Sequence, residues 1–522
     1  MPIKVQAKRQ IEKKGKSFYR YIVVLFAILA AVFILNVAPD YIRNDMGDKV
    51  NLVVNNNNVT KKLKNDILIK DDVIYISEED IETYFDNEVY FDDQYNQIVT
   101  TSETKVAVMP VDSKKIKINE ANISIYAPVI KENDKYYIPF SEISKNIYNI
   151  ESEYVEKSNT VIAVSLDKAL KQGFSSKKNS VKYKKTAFSK TVDTLKSGDM
   201  VTIINENSDK ESDEWIKIAT KNGKIGYVKS NTINNIEQVR QDYEIEKQID
   251  GKISLVWDYF SEYKKAPQRT GKIEGVNVVS PAFLTLKKEG KGDIITNIGA
   301  EGIAYIKWAH SNGYKVWPMF SNSSLKDTTS EILNDFQLRE KMINHIVNIV
   351  EQYDLDGINL DFENIYVKDK EKLTKFIVEL APRLRELGKV LSVDVTAPDG
   401  SEDWSLCYDR NRIAKAADYI VFMAYDQNGS NSKKVGTTAG YNWVVNGLEK
   451  FLSPDRENVD SNKLILAMPF YSNLWKIEGD NVSSSTVSMK NIDSSIPKNV
   501  EKKWDDTLHQ YYVEYQNKRS NI

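Results

Sequence analysis

The sequence predicts a multidomain protein with an N-terminal transmembrane helix, a duplicated α+β domain, a small β-barrel and a C-terminal (β/α)8 barrel of the TIM type. Three observations support this fold class. An 18-residue apolar run occupies positions 21–38, long enough to cross a bilayer. A strand–helix–strand unit occurs twice between 49 and 167, and short strands separated by turn residues follow at 181–235. From Gly251 onward, apolar runs alternate with amphipathic segments, which is typical of a parallel sheet buried on both faces.

Composition excludes several functional classes before any motif is considered. The 522 residues carry 72 Lys and Arg against 74 Asp and Glu, a net charge of −2, which argues against a nucleic-acid-binding protein. A single cysteine, Cys407, excludes a disulfide framework and a multi-cysteine metal cluster. With only three histidines, we expect no metal site and no cofactor. Carboxylates and aromatic rings remain as the groups that can carry chemistry.

The N-terminal segment predicts a location outside the cytoplasm. Seven Lys and Arg residues precede the apolar run and are opposed only by Glu12. The positive-inside rule therefore places 1–20 in the cytoplasm, 21–38 in the cell membrane as a single-pass anchor, and the remainder outside. A cleaved signal peptide is the alternative, although its apolar region is usually shorter. Cleavage would make the protein secreted, so both interpretations predict export.

The block at 49–167 contains the internal repeat. The segment 73–81 (VIYISEEDI) parallels 135–143 (KYYIPFSEI), and each copy runs on to a β-branched strand. This repetition predicts two halves packed on one core. The block resembles the N-terminal domain named after copper amine oxidases, a non-catalytic module. Because it lacks a histidine cluster, we assign no copper to it and expect a surface or spacer module.

A Lys- and Ser-rich stretch, 168–180, predicts a linker before the β block at 181–235. This block contains W-x-K-I at Trp215 and G-x-x-G-Y-V around Tyr227. The pattern resembles bacterial Src-homology-3-like domains, and the resemblance implies binding of cell-wall peptides. Trp215 and Tyr227 are either ligand platforms or core aromatics, and the sequence leaves both interpretations open.

Seven strand-like runs follow Gly251 and predict successive strands of the (β/α)8 barrel at 251–522. They are Ile253–Trp257, Val276–Ser280, Lys315–Phe320, Gly357–Glu363, Leu391–Val395, Tyr419–Ala424 and Leu464–Met468. Amphipathic segments between them, such as Leu338–Gln352 and Lys372–Leu387, predict the surrounding helices.

The fourth run is the most informative, because acidic and apolar residues alternate along it. Side chains on a strand alternate between its two faces. One face carries Ile358, Leu360 and Phe362, which we expect to contact the helices. The other carries Asn359, Asp361 and Glu363, which we expect inside the barrel. Barrel active sites open at the carboxyl ends of the strands, and two neighbouring acids there should share a proton near neutral pH. A carboxylic acid that stays protonated is suited to general acid catalysis.

The run D-G-x-N-x-D-x-E at 356–363 resembles the D-G-x-D-x-D-x-E signature of glycoside hydrolase family 18, which includes chitinases and peptidoglycan-active N-acetylglucosaminidases. Two further segments match the family pattern, M-x-Y-D at 423–426 and P-F-Y at 469–471. Asn359 replaces the middle aspartate of the signature, which we interpret as a mark of the spore-cortex and cell-wall members. The resemblance covers Gly251 to about Tyr515.

The resemblance implies a retaining mechanism in which the 2-acetamido group of the substrate is the nucleophile. Glu363 corresponds to the general acid and base. Asp361 would hold the acetamido N–H and stabilise the oxazolinium intermediate, and Tyr425 would position the acetamido carbonyl. Asn359 would orient Asp361. The other residues that the resemblance assigns to the substrate site are Asp356, Met423 and Asp426.

Aromatic side chains are candidates for stacking on sugar rings, although each can equally be a core residue. They are Trp257, Trp308, Trp443 and Trp475. Trp475 is the best candidate because it follows the seventh run in a predicted loop. A Ca²⁺ or Mg²⁺ site is a rival use of the clustered carboxylates, but the segment lacks the residue order of a calcium-binding loop.

The resemblance also implies an eighth strand, and no segment between Met468 and Ile522 matches it. A truncated chain, closure of the barrel by another segment and a non-catalytic domain all fit this observation. Two functions therefore remain open. The first is a membrane-anchored glycosidase acting on β-1,4-linked N-acetylglucosamine in peptidoglycan or chitin-like polymers. The second is an inactive protein that binds wall glycan and peptide, whereas the acidic lumen disfavours a purely structural spacer.

Overall fold

The structure is a computed structural model that describes residues 25–26, 49–204, 214–241, 248–260 and 265–516. The chain divides into two compact units, one of 1–100 with 107–245 and the other of 101–106 with 246–522. The predicted membrane anchor at 21–38 lies outside the described residues except for Leu25 and Phe26. Within the described ranges, no helix combines the length and apolar character needed to span a membrane.

The first unit begins with an α+β domain in which the two copies of the repeat pair with each other. Ser77 and Ile76 of the first copy lie opposite Tyr137 and Ile138 of the second in an antiparallel ladder. Each strand runs directly into a helix, Glu78–Tyr84 or Phe140–Tyr148. The strands of this domain are Asn51–Val54, Asn57–Asn58, Leu68–Lys70, Val73–Ser77, Tyr90–Asp92, Gln97–Thr101, Val106–Pro110, Lys115–Ile118, Ala121–Ser124, Ile130–Glu132, Lys135–Pro139, Ile150–Val155 and Thr160–Ser165. Both copies contribute to one hydrophobic core, as the repetition predicts.

The first unit continues with a seven-stranded antiparallel sheet. Its strands are Leu170–Ser175, Asn179–Lys182, Thr191–Leu195, Met200–Ile203, Trp215–Thr220, Ile225–Lys229 and Ile233–Arg240. The predicted linker at 168–180 is therefore wrong, because most of it forms the first strand and the start of the second. The strand Leu170–Ser175 pairs on both sides, although the Lys- and Ser-rich composition of 168–180 gave no sign of it.

The two aromatic rings of the β block, Trp215 and Tyr227, are both half-buried. The ammonium group of Lys229 lies 5.3 Å from the Trp215 ring centroid, and that of Lys185 lies 5.5 Å from the Tyr227 ring centroid. Neither ring belongs to the small apolar core of this sheet. The resemblance to Src-homology-3-like domains stays a prediction.

The second unit contains the seven predicted parallel strands in chain order. They are Leu255–Asp258, Val278–Pro281, Lys315–Val316 continuing as Met319–Ser321, Gly357–Asp361, Val390–Val395, Tyr419–Met423 and Leu464–Ala467; these are called the first to seventh strands below. Each strand pairs in parallel with the next. The third strand does so through two segments: Lys315–Val316 pairs with the second strand, and Met319–Ser321 pairs with the fourth. Within the described ranges, the seventh strand pairs only with the sixth, and the expectation that this sequence lacks the eighth strand of the barrel stays a prediction.

Helices and short hairpins lie between these strands and after the seventh. The helices are Ala300–Ser311, Lys326–Asn334, Phe336–Gln352, Lys370–Glu386, Arg410–Ala416, Tyr441–Leu452 and Ile492–Ser495. The hairpins are Leu284–Leu286 with Ile294–Thr296, Tyr471–Glu478 with Asn481–Ser488, and Lys503–Asp505 with Gln510–Tyr512. The helix at 336–352 begins at Asp335, whose carboxylate accepts a hydrogen bond from the Leu338 N–H, because the first turn of a helix leaves its N–H groups without partners.

The core of this unit lies between the parallel strands and the helices, as the alternation in the fourth strand predicts. Ile358, Leu360 and Phe362 are at most 1% exposed. The Phe362 ring stacks on Phe376 of the helix at 370–386, with centroids 5.7 Å apart. The opposite face of the fourth strand, which carries its polar side chains, therefore points away from the helices.

Candidate active site

Acidic side chains converge at the carboxyl ends of the parallel strands. Asp361 ends the fourth strand and Glu363 follows two residues later, while Asp394 lies near the end of the fifth. Asp426 follows the sixth strand with a positive φ of 57°, which turns the chain sharply as it leaves the sheet. The strand order therefore brings together carboxylates that are up to 65 positions apart in the sequence.

Asn359 is the buried centre of a polar network beneath these acids. It is 0% exposed. Its Oδ1 accepts a 2.7 Å hydrogen bond from Trp257 Nε1, and its Nδ2 donates to Ser392 Oγ at 3.0 Å and to Asp394 Oδ1 at 2.7 Å. An amide satisfies acceptor and donor partners at once, which an ionised aspartate at this position could not do. Asn359 therefore ties the first, fourth and fifth strands together below the acids.

Asp361 combines burial with an unsatisfied acceptor. The Ser321 hydroxyl donates a hydrogen bond to its carboxylate, and the two residues lie opposite each other where the third and fourth strands pair. Among the described residues, its Oδ1 has no hydrogen-bond partner although that atom is buried. Burial raises the pKa of Asp361 to about 6. Such an acceptor is costly to leave bare, so it is a natural place for a ligand N–H.

Glu363 has a raised pKa for three reasons. Burial is the largest cause, followed by the charges of Asp361 and Asp426, and together they raise the pKa of Glu363 to about 7. The predicted elevation is thus present, but burial contributes more than repulsion between the two acids. A carboxylic acid with this pKa exchanges its proton readily at neutral pH, as an acid that later acts as a base must do.

Asp394 is a third acid of the cluster, and the sequence analysis did not single it out. Its side chain is 1% exposed. Burial, and then the charge of Asp361, raises the pKa of Asp394 well above its ordinary value, while the hydrogen bond from Asn359 opposes the rise. Asp394 is consequently best described as a neutral acid lying below the reactive pair.

Tyr425 borders the same cluster. Burial, and then the negative charges of Asp394, Asp361 and Glu363, raise its pKa, so its hydroxyl stays protonated and can donate a hydrogen bond. Its ring meets Trp257 edge to face, with centroids 6.2 Å apart. The structure therefore brings Tyr425 together with Asp361 and Glu363.

Tyr471 borders the opening beside Asp426. Its hydroxyl donates a 2.7 Å hydrogen bond to Asp426 Oδ1, and its ring lies 6.2 Å from that of Tyr425. Burial is the main cause that raises the pKa of Tyr471, followed by its bond to Asp426. This hydrogen bond thus restrains the Asp426 side chain beside the acidic cluster.

Two other residues that were predicted to contact substrate make contacts within the protein. Met423 is 7% exposed and ends the sixth strand beside Ala467, so it forms part of the floor near Tyr425. Trp475 is half-buried in the hairpin after the seventh strand, and its Nε1 donates to the Gly436 carbonyl at 2.9 Å. That bond fastens the hairpin to the loop that follows Tyr425.

Asp356 lies apart from the cluster, which corrects the expectation that it shapes the substrate site. It precedes the amino end of the fourth strand. Its carboxylate accepts hydrogen bonds from the Val316 N–H and Lys315 Nζ, each at 3.0 Å, and lies 2.9 Å from His310 Nε2. Burial acts to raise its pKa, but these hydrogen bonds outweigh it and the pKa is lowered. Asp356 therefore joins the third and fourth strands at the end opposite the acids.

Sequence reasoning missed several polar residues of this region, although the same period of two marks some of them. Ser392 and Asp394 alternate with apolar residues in the fifth strand just as Asn359 and Asp361 do in the fourth. Ser280, in contrast, carries no local signal, because its contact with Asn359 spans 79 positions. Trp257 was named only as a candidate for stacking on sugars, and its hydrogen bond to Asn359 spans 102 positions. Among the described residues, no group of His, Cys, Asp and Glu has an arrangement that could hold a metal ion.

Comparison with known protein families gives two matches. The profile described as glycosyl hydrolases family 18 matches residues 255–521, which includes every acid of the cluster. The profile of the copper amine oxidase N-terminal domain matches residues 45–163, so that resemblance is confirmed.

Individual relatives are distant and match only part of this chain. An uncharacterized glycosylase, YvbX, of Bacillus subtilis is 25% identical over 38% of this chain and 58% of its own length. The cortical fragment-lytic enzyme of Bacillus anthracis is 23% identical over 36% of this chain and 44% of its own length. The crystal structure of the putative sporulation-specific glycosylase ydhD from Bacillus subtilis matches 45% of this chain and 78% of that chain at 22% identity, with a TM-score of 0.41. This chain thus spans little more than half of YvbX and less of the lytic enzyme.

Proposed function

The chain belongs to glycosyl hydrolase family 18, and we propose that it hydrolyses β-1,4-linked N-acetylglucosamine polymers, of peptidoglycan or chitin type, by substrate-assisted retaining catalysis. The single observation that carries the proposal is the pair formed by Glu363 and Asp361. One has a pKa raised to about 7, and the other presents a buried oxygen without a partner among the described residues. A proton donor beside an acceptor for an amide N–H is what this chemistry needs.

In the first step, Glu363 gives its proton to the glycosidic oxygen while the bond from that oxygen to the anomeric carbon breaks. The acetamido carbonyl oxygen of the same sugar forms a new bond to the anomeric carbon, which gives an oxazolinium ion. Asp361 Oδ1 accepts the acetamido N–H, and its negative charge stabilises the cation. The hydroxyl of Tyr425 donates to the acetamido carbonyl and holds it in line for attack.

In the second step, the Glu363 carboxylate takes a proton from a water molecule as the water attacks the anomeric carbon. The bond to the acetamido oxygen breaks, the oxazolinium ring opens, and Glu363 is again protonated. Two inversions at the anomeric carbon leave its configuration unchanged. Asp394, held by Asn359 and kept neutral by burial, supports Asp361 from below without adding a competing negative charge.

The proposal is tested by comparing turnover of an aryl chito-oligosaccharide by the wild-type chain and by Glu363→Gln. We expect the substitution to lower kcat by about 100- to 10,000-fold, because it removes the proton donor and leaves the shape of the site. Glu351→Gln is the matched control, since Glu351 is exposed near the end of the helix at 336–352. A wild-type rate no higher than that of Glu363→Gln would reject catalysis.

To identify which polymer is the substrate, the same proteins are assayed on purified peptidoglycan and on chitin. The name of one relative, a cortical fragment-lytic enzyme, supports the peptidoglycan arm. Binding of either polymer without cleavage would favour the alternative function, an inactive wall-binding protein. In that case the β block at 181–235 would be the candidate for contacts with wall peptides.

We also propose that the protein is anchored in the cell membrane. The basic segment at 1–20 and the apolar run at 21–38 support a single-pass anchor with an extracytoplasmic body. We expect protease added to intact cells or protoplasts to digest the body, and alkaline carbonate to leave the chain with the membranes. Recovery in the medium of the body without its N-terminal segment would instead indicate cleavage of that segment.

A further inference from the structure

We propose that Asn322 is a positioning residue for Glu363, with its side-chain amide serving as the strand partner that the backbone of Glu363 otherwise lacks at this point. The inference rests on the proposed function, since it concerns how the general acid is held. Asn322 directly follows the third strand and is 0% exposed.

The side-chain amide of Asn322 forms hydrogen bonds with both the backbone N–H and the backbone carbonyl of Glu363. The Glu363 N–H donates to Asn322 Oδ1 at 3.0 Å, and Asn322 Nδ2 donates to the Glu363 carbonyl at 2.9 Å. The Asn322 backbone N–H also reaches the Asp361 carbonyl at 3.4 Å. One residue therefore contacts the backbones of both members of the reactive pair.

The need for such a clamp follows from where the sheet ends. Pairing of the third and fourth strands stops at Ser321 and Asp361. Glu363 lies two residues beyond, and Asn364 then turns the chain with a φ of 54°. An asparagine amide has the donor and acceptor geometry of a peptide group, so its side chain continues the ladder where the backbone of the third strand departs.

The clamp is itself held in a fixed orientation. Asn322 Nδ2 also donates to Thr329 Oγ1 at 3.1 Å, and Thr329 is 1% exposed and bonds the Leu325 carbonyl. Ser323 and Ser324 both have positive φ values, 49° and 52°, which are uncommon for residues other than glycine. Backbone strain of this kind persists where the surrounding contacts determine the local structure.

The consequence for catalysis is geometric. Reacting groups must be held to within about half an ångström, and a displacement of about 1 Å can cost on the order of 100-fold in rate. Without the clamp, the end of the fourth strand gains freedom, and the Glu363 carboxyl gains access to water. We therefore expect Asn322→Ala to lower kcat about 10- to 100-fold, with KM changed less than about threefold.

The test includes a readout that a purely structural role would not move, the pKa of Glu363. It is measured on the full-length chain by carbon NMR with labelled glutamate, assigned with Glu363→Gln. The groups that face Glu363 are Asp361, Asp394, Asp426, Tyr425, Tyr408 and Tyr471. None is altered by Asn322→Ala, so a fall of about one unit in the pKa of Glu363 reports its increased hydration.

Asn277→Ala is the matched control, because the Asn277 side-chain amide also bonds one backbone N–H and one backbone carbonyl, here of two different residues, at the other end of the sheet. Its Oδ1 accepts from the Ser254 N–H at 2.8 Å and its Nδ2 donates to the Lys252 carbonyl at 2.9 Å. We expect this variant to lose thermal stability and to keep the wild-type kcat and Glu363 pKa. If Asn322→Ala does not fold, Asn322→Leu replaces it, since it keeps a similar size, loses both hydrogen bonds to Glu363 and adds no charge beside that acid.

The outcomes separate this inference from the proposed function. A wild-type chain without turnover rejects the proposed function, while the NMR titration still decides the role of Asn322. An unchanged Glu363 pKa in a folded Asn322 variant, or an unchanged kcat where the wild type is active, overturns the inference. A lowered pKa and kcat in the Asn322 variant, with neither changed in Asn277→Ala, supports it.

Discussion

At the scale of single residues, the site depends on carboxyl groups that burial keeps protonated to different extents. Asp361 and Glu363 have pKa values raised to about 6 and about 7, and the more deeply buried Asp394 is raised well above its ordinary value. Neighbouring acids whose environments give them different pKa values are suited to different roles in acid–base catalysis. In the proposed mechanism, Glu363 transfers the proton, Asp361 carries the negative charge, and Asp394 stays neutral.

The rate should therefore fall as pH rises through the pKa of Glu363, because the first step needs its protonated form. We expect kcat/KM to decline above about pH 7. Asp426→Asn removes one of the charges that raise this pKa, so the decline should begin at lower pH, by less than about one unit because Asp426 is exposed to solvent. The pH profile of both proteins checks this, and a shift to higher pH would contradict it.

Asp361→Asn should raise stability at neutral pH while lowering activity. The folded chain holds the Asp361 proton more tightly than the unfolded chain does. The stability gained from protonation is therefore complete below about pH 4 and is lost as pH rises through about 6. Replacing the acid removes that loss, which is worth at most about 3 kcal/mol above pH 7. Urea titrations at pH 3 and pH 8 check this, and an equal effect at both values would contradict it.

Sequence patterns identified this site only in part. The period of two within the fourth strand was sufficient to place Asn359, Asp361 and Glu363 together, because alternation is a local property of a strand. Asn322 carries no such signal, since its partner Glu363 lies 41 positions away. Asp356 belongs to the same motif but lies at the opposite end of the strand, so membership of a motif did not establish a shared location.

At the scale of elements, the close approach of the fourth and fifth strands explains the glycine of the D-G motif. A Cβ atom on Gly357 would lie 2.4 Å from the Val390 carbonyl oxygen and 2.9 Å from Trp317 Cδ1. Neither neighbour can yield easily, since one is backbone and the other a fully buried ring. The glycine therefore permits the register that brings Asn359 opposite Ser392.

Gly357→Ala should consequently destabilise the second unit by about 1–3 kcal/mol, the usual cost of overpacking. It should also lower activity, since it separates the strands that carry Asp361 and Asp394. Gly299→Ala is the control, because there a Cβ atom would meet only Glu301 Oε2 at 3.8 Å. Chemical denaturation of both variants checks this. Equal stability of Gly357→Ala and the wild type would contradict the close approach.

The β block shows why an element can be missed. The strand at 170–175 was predicted as part of a linker because 168–180 is rich in lysine and serine. Its pairing partners lie at 200–203 and 233–240. Pairing to distant strands, rather than local propensity, fixes its conformation. Strands of the parallel sheet were easier to predict, because burial on both faces demands continuous apolar runs.

At the scale of the whole molecule, the chain builds separate hydrophobic cores. The apolar cluster around Phe362 lies entirely within the second unit, and the cluster around Ile138 lies within the first. No residue is shared between these two clusters, so each unit has its own source of stability.

Calorimetry should therefore resolve separate unfolding transitions. We expect Phe362→Ala to lower the Tm of one transition, with a loss of about 3–5 kcal/mol, and to leave the other in place. Ile138→Ala should do the reverse, with a loss of about 2–5 kcal/mol. A single transition that both substitutions shift alike would show instead that the units unfold cooperatively.

The central claim is that Glu363 cleaves the glycosidic bond with help from the acetamido group of the substrate, held by Asp361. The most direct measurement compares hydrolysis of an aryl N-acetylglucosamine disaccharide with that of the matching glucose disaccharide, which lacks the acetamido group. We predict turnover of the first only, with retained anomeric configuration in the product observed by proton NMR, and loss of that turnover in Glu363→Gln. Comparable rates on both substrates, or an inverted product, would contradict the claim.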